Sequence, residues 1–192
     1  MDKSLSQWTA DTSEGLSAFL HTRRGKTLFI LLALLILFWR RPGQFLYPYI
    51  WAEDASDILI GFMNSGWKNI FEPVAGYYIT IAKLINFTAY KISFWYYPTV
   101  AAGLAVIFQL TVLYAIAYSP TTLKYPLLCA LSVLFIKTDP ECFNVALYSF
   151  WWAGLLLILA TLWPTEGTEQ NRTEQNTRTM FYMNYLEVDS IG

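Results

Sequence analysis

Apolar positions along this chain gather into long runs, and the runs set the architecture. The segment 98–118 (PTVAAGLAVIFQLTVLYAIAY) carries no Asp, Glu, Lys, Arg or His over 21 residues. A helix of that length covers the roughly 30 Å hydrocarbon core of a bilayer. A second uncharged run, 142–163 (CFNVALYSFWWAGLLLILATLW), has 22 residues. Two shorter runs, 27–39 and 125–136, are bracketed by cations. Arg23, Arg24 and Lys26 precede the first and Arg40 and Arg41 follow it, while Lys124 and Lys137 flank the second. Flanking cations snorkel to the headgroups and lengthen the usable span. The pattern predicts an all-α integral membrane protein with four transmembrane helices. A signal-peptide core is the alternative for 27–39, but the RRPG that follows is not a small-residue cleavage site.

The stretch 76–94 has a different rhythm. Thr80, Lys83, Asn86, Tyr90 and Lys91 recur at helical spacing, with Ile81, Leu84, Ile85, Thr88 and Ile92 opposite. Two lysines on one face predict a helix lying in the membrane interface, and a fifth span is the alternative. Four spans put both chain ends on one side, which the amino-terminal Arg23, Arg24 and Lys26 assign to the cytoplasm. The loops 40–97 and 137–141 then share the external side. Trp39, Trp51, Trp95, Tyr96, Tyr97 and Trp163 fall near span ends, where interfacial aromatics concentrate. Residues 1–22 read as a polar cytoplasmic leader. The tail 164–192 holds TEQN twice, at 168–171 and 173–176, and is expected to be disordered. A short repeat can arise by replication slippage, which can also shift a reading frame, so MFYMNYLEVDSIG is expected to be an out-of-frame ending of a longer gene.

Composition agrees with the runs. The chain has 192 residues, 55% of them apolar and 14% charged, against about 45–50% and about 25% in ordinary globular proteins. Net charge is −1, so no basic field argues for nucleic acid. Two cysteines and a single histidine, His21, leave no disulfide framework, no zinc cluster and no catalytic triad. No phosphate-cradling glycine loop is present.

Candidate chemistry lies in the loops. Glu53, Asp54 and Asp57 directly follow an aromatic stretch. If a helix opens at Ala52, Glu53 and Asp57 are i,i+4 neighbours, and their charges also suit a first helical turn. The functional alternative is a carboxylate held at the membrane surface, able to take a proton from a hydroxyl or to bind a divalent cation. Lys137-Thr-Asp-Pro-Glu-Cys-Phe-Asn144 faces the same compartment, with Asp139 as an N-cap ahead of Pro140. Glu141 and Asn144, about one turn apart, can line a polar entrance. Arg40, Arg41 and Lys68 offer positive charge to a lipid phosphate, or act as snorkelling anchors.

Together, one span, a W-A-E-D (51–54) at the start of a large external loop, G-Y-Y (76–78) before an amphipathic stretch, and P-E-x-x-N (140–144) ahead of Trp151 and Trp152 resemble GT-C-type integral membrane glycosyltransferases. The likeness is nearest to bacterial O-antigen and cell-envelope glucosyltransferases and covers about residues 23–163. It implies a polyprenyl-phosphate-linked sugar as donor, a glycan or lipid-linked glycan as acceptor, and reaction on the periplasmic face of the bacterial inner membrane. It implies Asp54 as general base, with Glu53 orienting it or assisting a cation, and Asp139 or Glu141 as a second acid. Arg40, Arg41 and Lys68 would hold the donor phosphate, and Asp57, Tyr77, Tyr78 and Asn144 complete the implied substrate-binding set. Members of that family carry eight or more spans, so the resemblance implies that this chain is a truncated product or works with a partner subunit. The rival reading is a non-catalytic membrane subunit of an envelope-glycan assembly or transport complex.

Overall fold

The computed structural model describes residues 18–136 and 142–164. Every regular element among them is helical, and an isolated β-bridge between Val74 and Tyr77 closes a turn. Helix α1 (Arg23–Arg40) begins where Thr22 Oγ1 accepts the Gly25 N–H at 3.1 Å, an N-terminal cap. It ends before Pro42, which opens the short α2 (Pro42–Leu46). A π-helical turn (Asp54–Leu59) runs into α3 (Ile60–Ser65), and a 3-10 turn (Gly66–Phe71) follows. The longer helices α4 (Thr80–Ile92), α5 (Tyr97–Tyr118), α6 (Pro126–Phe135) and α7 (Ser149–Thr161) complete the described chain.

Helix α5 is the hub, packing against α1, α4, α6 and α7. Its buried positions include Ala101, Ala102, Ala105 and Ala117; Ala117 shares a core cluster with Ala33 of α1 and Ala130 of α6, and Ala101 packs with Ala89 of α4. Small side chains let helix axes approach closely. Phe29, Leu37, Leu113, Leu134, Phe143 and Trp152 fill the space between them. On α1 only Gly25, Phe29, Ala33 and Leu37 are buried, an i,i+4 stripe, while Leu28, Leu31, Leu32 and Leu35 face outward.

The long helices alternate in direction. Lys26, near the start of α1, lies 5.1 Å from the Tyr118 ring at the end of α5, and the Thr122 N–H donates to Leu162 O at 3.0 Å just past α7. At the opposite rim Arg40 donates to Leu134 O at 2.7 Å, joining the ends of α1 and α6. Among the described residues one helix, α5, is long and apolar enough to cross a membrane. Helices α6 and α7 are apolar but shorter, about 15 and 20 Å at 1.5 Å per residue.

Two elements differ from their expected form. The uncharged run 142–163 is helical only from Ser149. Residues 142–148 form a buried irregular segment in which Asn144 adopts a left-handed backbone with φ 61°. An apolar, uncharged run permits a helix. Here the Leu147 N–H instead bonds to Asp54 in the first loop. The stretch 76–94 is helical over Thr80–Ile92, but the centre of its polar face points inward: Lys83 and Asn86 are fully buried, while Lys91, Leu84 and Ile92 are exposed. The polar stripe was expected to seek water, yet it meets polar partners inside the protein. The expected leader 1–22 is described only from residue 18. The tail after residue 164 and Asp139 with Glu141 lie outside the described residues.

Candidate functional site

The π-helical turn decides which carboxylate enters the protein. Its Ile60 N–H donates to Ala55 O, five residues back, so each turn holds an extra residue. This winding points Asp54, Ile58 and Phe62 inward. Glu53 and Asp57 remain exposed, so the three acids expected to cluster are split between two faces.

Asp54 is 4% exposed. Its Oδ1 accepts the Asn86 Nδ2–H at 2.8 Å, and the carboxylate also accepts the Leu147 N–H. Asn86 donates to Ala82 O at 3.0 Å as well, and its Oδ1 accepts the Tyr97 hydroxyl. Since a carboxylate takes only donors, Asp54 fixes which end of the Asn86 amide faces it. Asp54, Asn86 and Tyr97 thus form one buried chain linking the π-helical turn, α4 and the first turn of α5. Burial pushes the Asp54 carboxyl up to about 6; the Asn86 and Leu147 hydrogen bonds hold the rise back, and the nearby Glu53 charge adds to it.

One turn earlier on α4, Lys83 donates to Asn69 O at 2.6 Å and Glu72 O at 2.7 Å, tying the 3-10 turn to the helix. Burial lowers the Lys83 pKa below its ordinary value, and the charges of Glu72 and Asp57 oppose that fall. Asn69 Nδ2 donates to Glu72 Oε2 at 3.0 Å. Gly61 makes room for that amide: a Cβ there would sit 2.2 Å from Asn69 Nδ2.

Two of the expected phosphate-binding cations make other contacts. The Arg40 guanidinium bonds to Leu134 O and stacks 4.1 Å from the centre of the Phe143 ring. Arg41 donates to the Tyr49 hydroxyl at 2.6 Å and lies 5.6 Å from the Trp51 ring. Lys68, Tyr77 and Tyr78 are exposed on the first loop. Asn144 is buried, donates to Leu37 O at 3.4 Å, and borders a cavity of about 340 Å³ with Gln44, Thr99 and Gly103. The first loop meets the segment before α7: the Trp51 and Tyr148 rings are 6.3 Å apart, beside the Asp54–Leu147 bond, while the expected second loop 137–141 lies outside the described residues.

Asn86, Tyr97, Lys83 and Asn69 were not among the expected site residues. The spacing of Lys83 and Asn86 is legible in the sequence as a polar stripe, but the direction in which it faces is not. Among the described residues no three His, Cys, Asp or Glu side chains come together to hold a metal ion. No family model, curated protein or solved structure matches this chain.

Proposed function

We propose that this chain is a multi-pass bacterial inner-membrane protein of glycosyltransferase type. In this reading it transfers a sugar from a polyprenyl-phosphate-linked donor to a cell-envelope glycan on the periplasmic face. The membrane part of the reading is supported by the outward apolar surface. Leu31 and Leu35 on α1, Leu128 on α6, and Leu157 and Ile158 on α7 are all exposed, on helices that alternate in direction. Large apolar side chains exposed in this number are readily covered by lipid or a partner.

The observation that carries the enzymatic part is Asp54, a buried carboxyl whose pKa lies near neutrality in the first loop. A general base works best when its pKa lies close to the operating pH. Above about pH 6 Asp54 is ionised. As the acceptor oxygen attacks the anomeric carbon, Asp54 takes the hydroxyl proton, and the sugar–phosphate C–O bond breaks with its electron pair leaving on the phosphate. Asn86 and the Leu147 N–H hold the carboxylate in one orientation, and Tyr97 holds Asn86.

The test is Asp54→Asn in the full chain within its native membrane. The expected result is loss of sugar transfer with unchanged expression and insertion. Retained transfer would refute the assignment of the base.

One observation favours the rival, a non-catalytic membrane subunit. Asp54 is already engaged by Asn86 and Leu147, as a structural carboxylate joining the first loop to α4 and to the segment before α7 would be. In that case Asp54→Asn lowers stability or assembly in the membrane and no transfer activity accompanies the wild-type chain.

A further inference from the structure

Beside the Asp54 site a polar cavity of about 520 Å³ opens between the π-helical turn, α3 and the 3-10 turn. Ser56, Asp57, Asn64, Asn69, Glu72 and Lys83 line it. None of them belongs to the Asp54–Asn86–Tyr97 chain.

Asn69 is 3% exposed, and its Nδ2 is committed to the Glu72 carboxylate. That bond fixes the amide, because a carboxylate accepts only a donor. The other end, Oδ1, is buried at the cavity with no hydrogen-bond partner. A buried acceptor left unpaired is costly, so the site is incomplete as it stands. The cation in the wall does not complete it, because Lys83 directs its ammonium at Asn69 O and Glu72 O.

The unused hydrogen-bonding capacity therefore consists mainly of acceptors: Asn69 Oδ1, the exposed Asp57 carboxylate and the second oxygen of Glu72. Two carboxylates against one ammonium leave a formal charge of −1. An occupant that completes the cavity must bring N–H donors and one positive charge. We propose that this cavity binds a primary ammonium group, carried either by a lipid headgroup or by a small soluble amine. A quaternary ammonium has no N–H for Asn69 Oδ1. A bare divalent ion would meet Lys83 behind the same two carboxylates. The proposal stands apart from sugar transfer and does not use Asp54.

The experiment takes the full chain in phosphatidylcholine nanodiscs. In one arm ethanolamine is titrated and followed by saturation-transfer NMR, with ethylene glycol as its neutral counterpart. In the other, phosphatidylethanolamine is added to the discs, and native mass spectrometry compares its retention with that of phosphatidylcholine. Saturable ethanolamine binding assigns a soluble amine, and preferential phosphatidylethanolamine retention assigns a headgroup; either supports the site. Asp57→Asn, a change at an exposed position, should weaken whichever is found by about tenfold or more. Gly61→Ala, which drives its new methyl into the Asn69 amide, should do the same. Asp54→Asn should leave it unchanged. The proposal is overturned by absence of binding in both arms with a folded chain, or by binding that Asp57→Asn leaves intact. It is also overturned by equal binding of ethylene glycol, or by displacement of the amine by magnesium.

Discussion

The Asn86 side-chain amide donates to the Asp54 carboxylate at 2.8 Å, joining residues 32 positions apart in the chain. Around that bond the first loop, α4, α5 and the segment before α7 become one structure. Tyr97 fixes Asn86, and the Leu147 N–H supplies Asp54 with a further donor.

The Asp54 carboxyl makes stability depend on pH. Its pKa is raised from 3.8 to about 6, so the folded chain binds this proton more tightly than the unfolded one. The stabilisation is complete below about pH 4 and is lost as pH rises through 6, a change on the order of 3 kcal/mol. Asp54→Asn should remove this slope. Thermal unfolding between pH 4 and pH 7, for both chains, measures it.

Removing the amide should be felt at both of its ends. Asn86→Ala takes from Asp54 its side-chain donor, leaving the Leu147 N–H, and strands the Tyr97 hydroxyl without its acceptor, a loss of about 2–3 kcal/mol. It also raises the Asp54 pKa further, because a hydrogen bond to the charged form is gone. Tyr97→Phe removes only the outer bond and should cost about 1 kcal/mol. Denaturation of the two variants in matched micelles gives the ranking, and equal effects would contradict it.

Lys83 anchors the 3-10 turn through two carbonyl oxygens. Lys83→Met keeps much of the side chain's bulk but strands Asn69 O and Glu72 O, with an expected cost of about 2–4 kcal/mol. Hydrogen exchange should then accelerate first in residues 66–72. If protection there is unchanged, Lys83 does not hold the turn.

Asn144 has a backbone that only a few residue types adopt cheaply. Asn144→Val should cost about 1–2 kcal/mol more than Asn144→Gly, since both lose the bond to Leu37 O and only valine is strained at φ 61°. Paired melting curves of the two variants test this.

The four-span topology of the proposed function predicts which residues face which side. Ser56→Cys should react with an impermeant thiol reagent from outside the cell. Thr122→Cys, at the rim shared with Lys26 and Leu162, should react only after permeabilisation. Labelling of both from the same side would remove the topology.

The sequence by itself determined that the chain is helical and where its apolar runs lie. The uncharged run 98–118 is compatible with one helix throughout, and α5 covers it, whereas the equally uncharged 142–148 is irregular. It also displayed Asp54, and the polar stripe carrying Lys83 and Asn86, because residue type and spacing are local properties. Only the tertiary structure decided that the stripe faces inward, that π-winding separates Asp54 from Glu53 and Asp57, and that residues 142–148 leave the helix. Each of these depends on a partner far away in the chain: Asn69 and Glu72 for Lys83, Asn86 for Asp54, and Asp54 for the Leu147 N–H. A buried polar group goes where its hydrogen bonds can be met, and spacing along the chain does not carry the position of a partner across space.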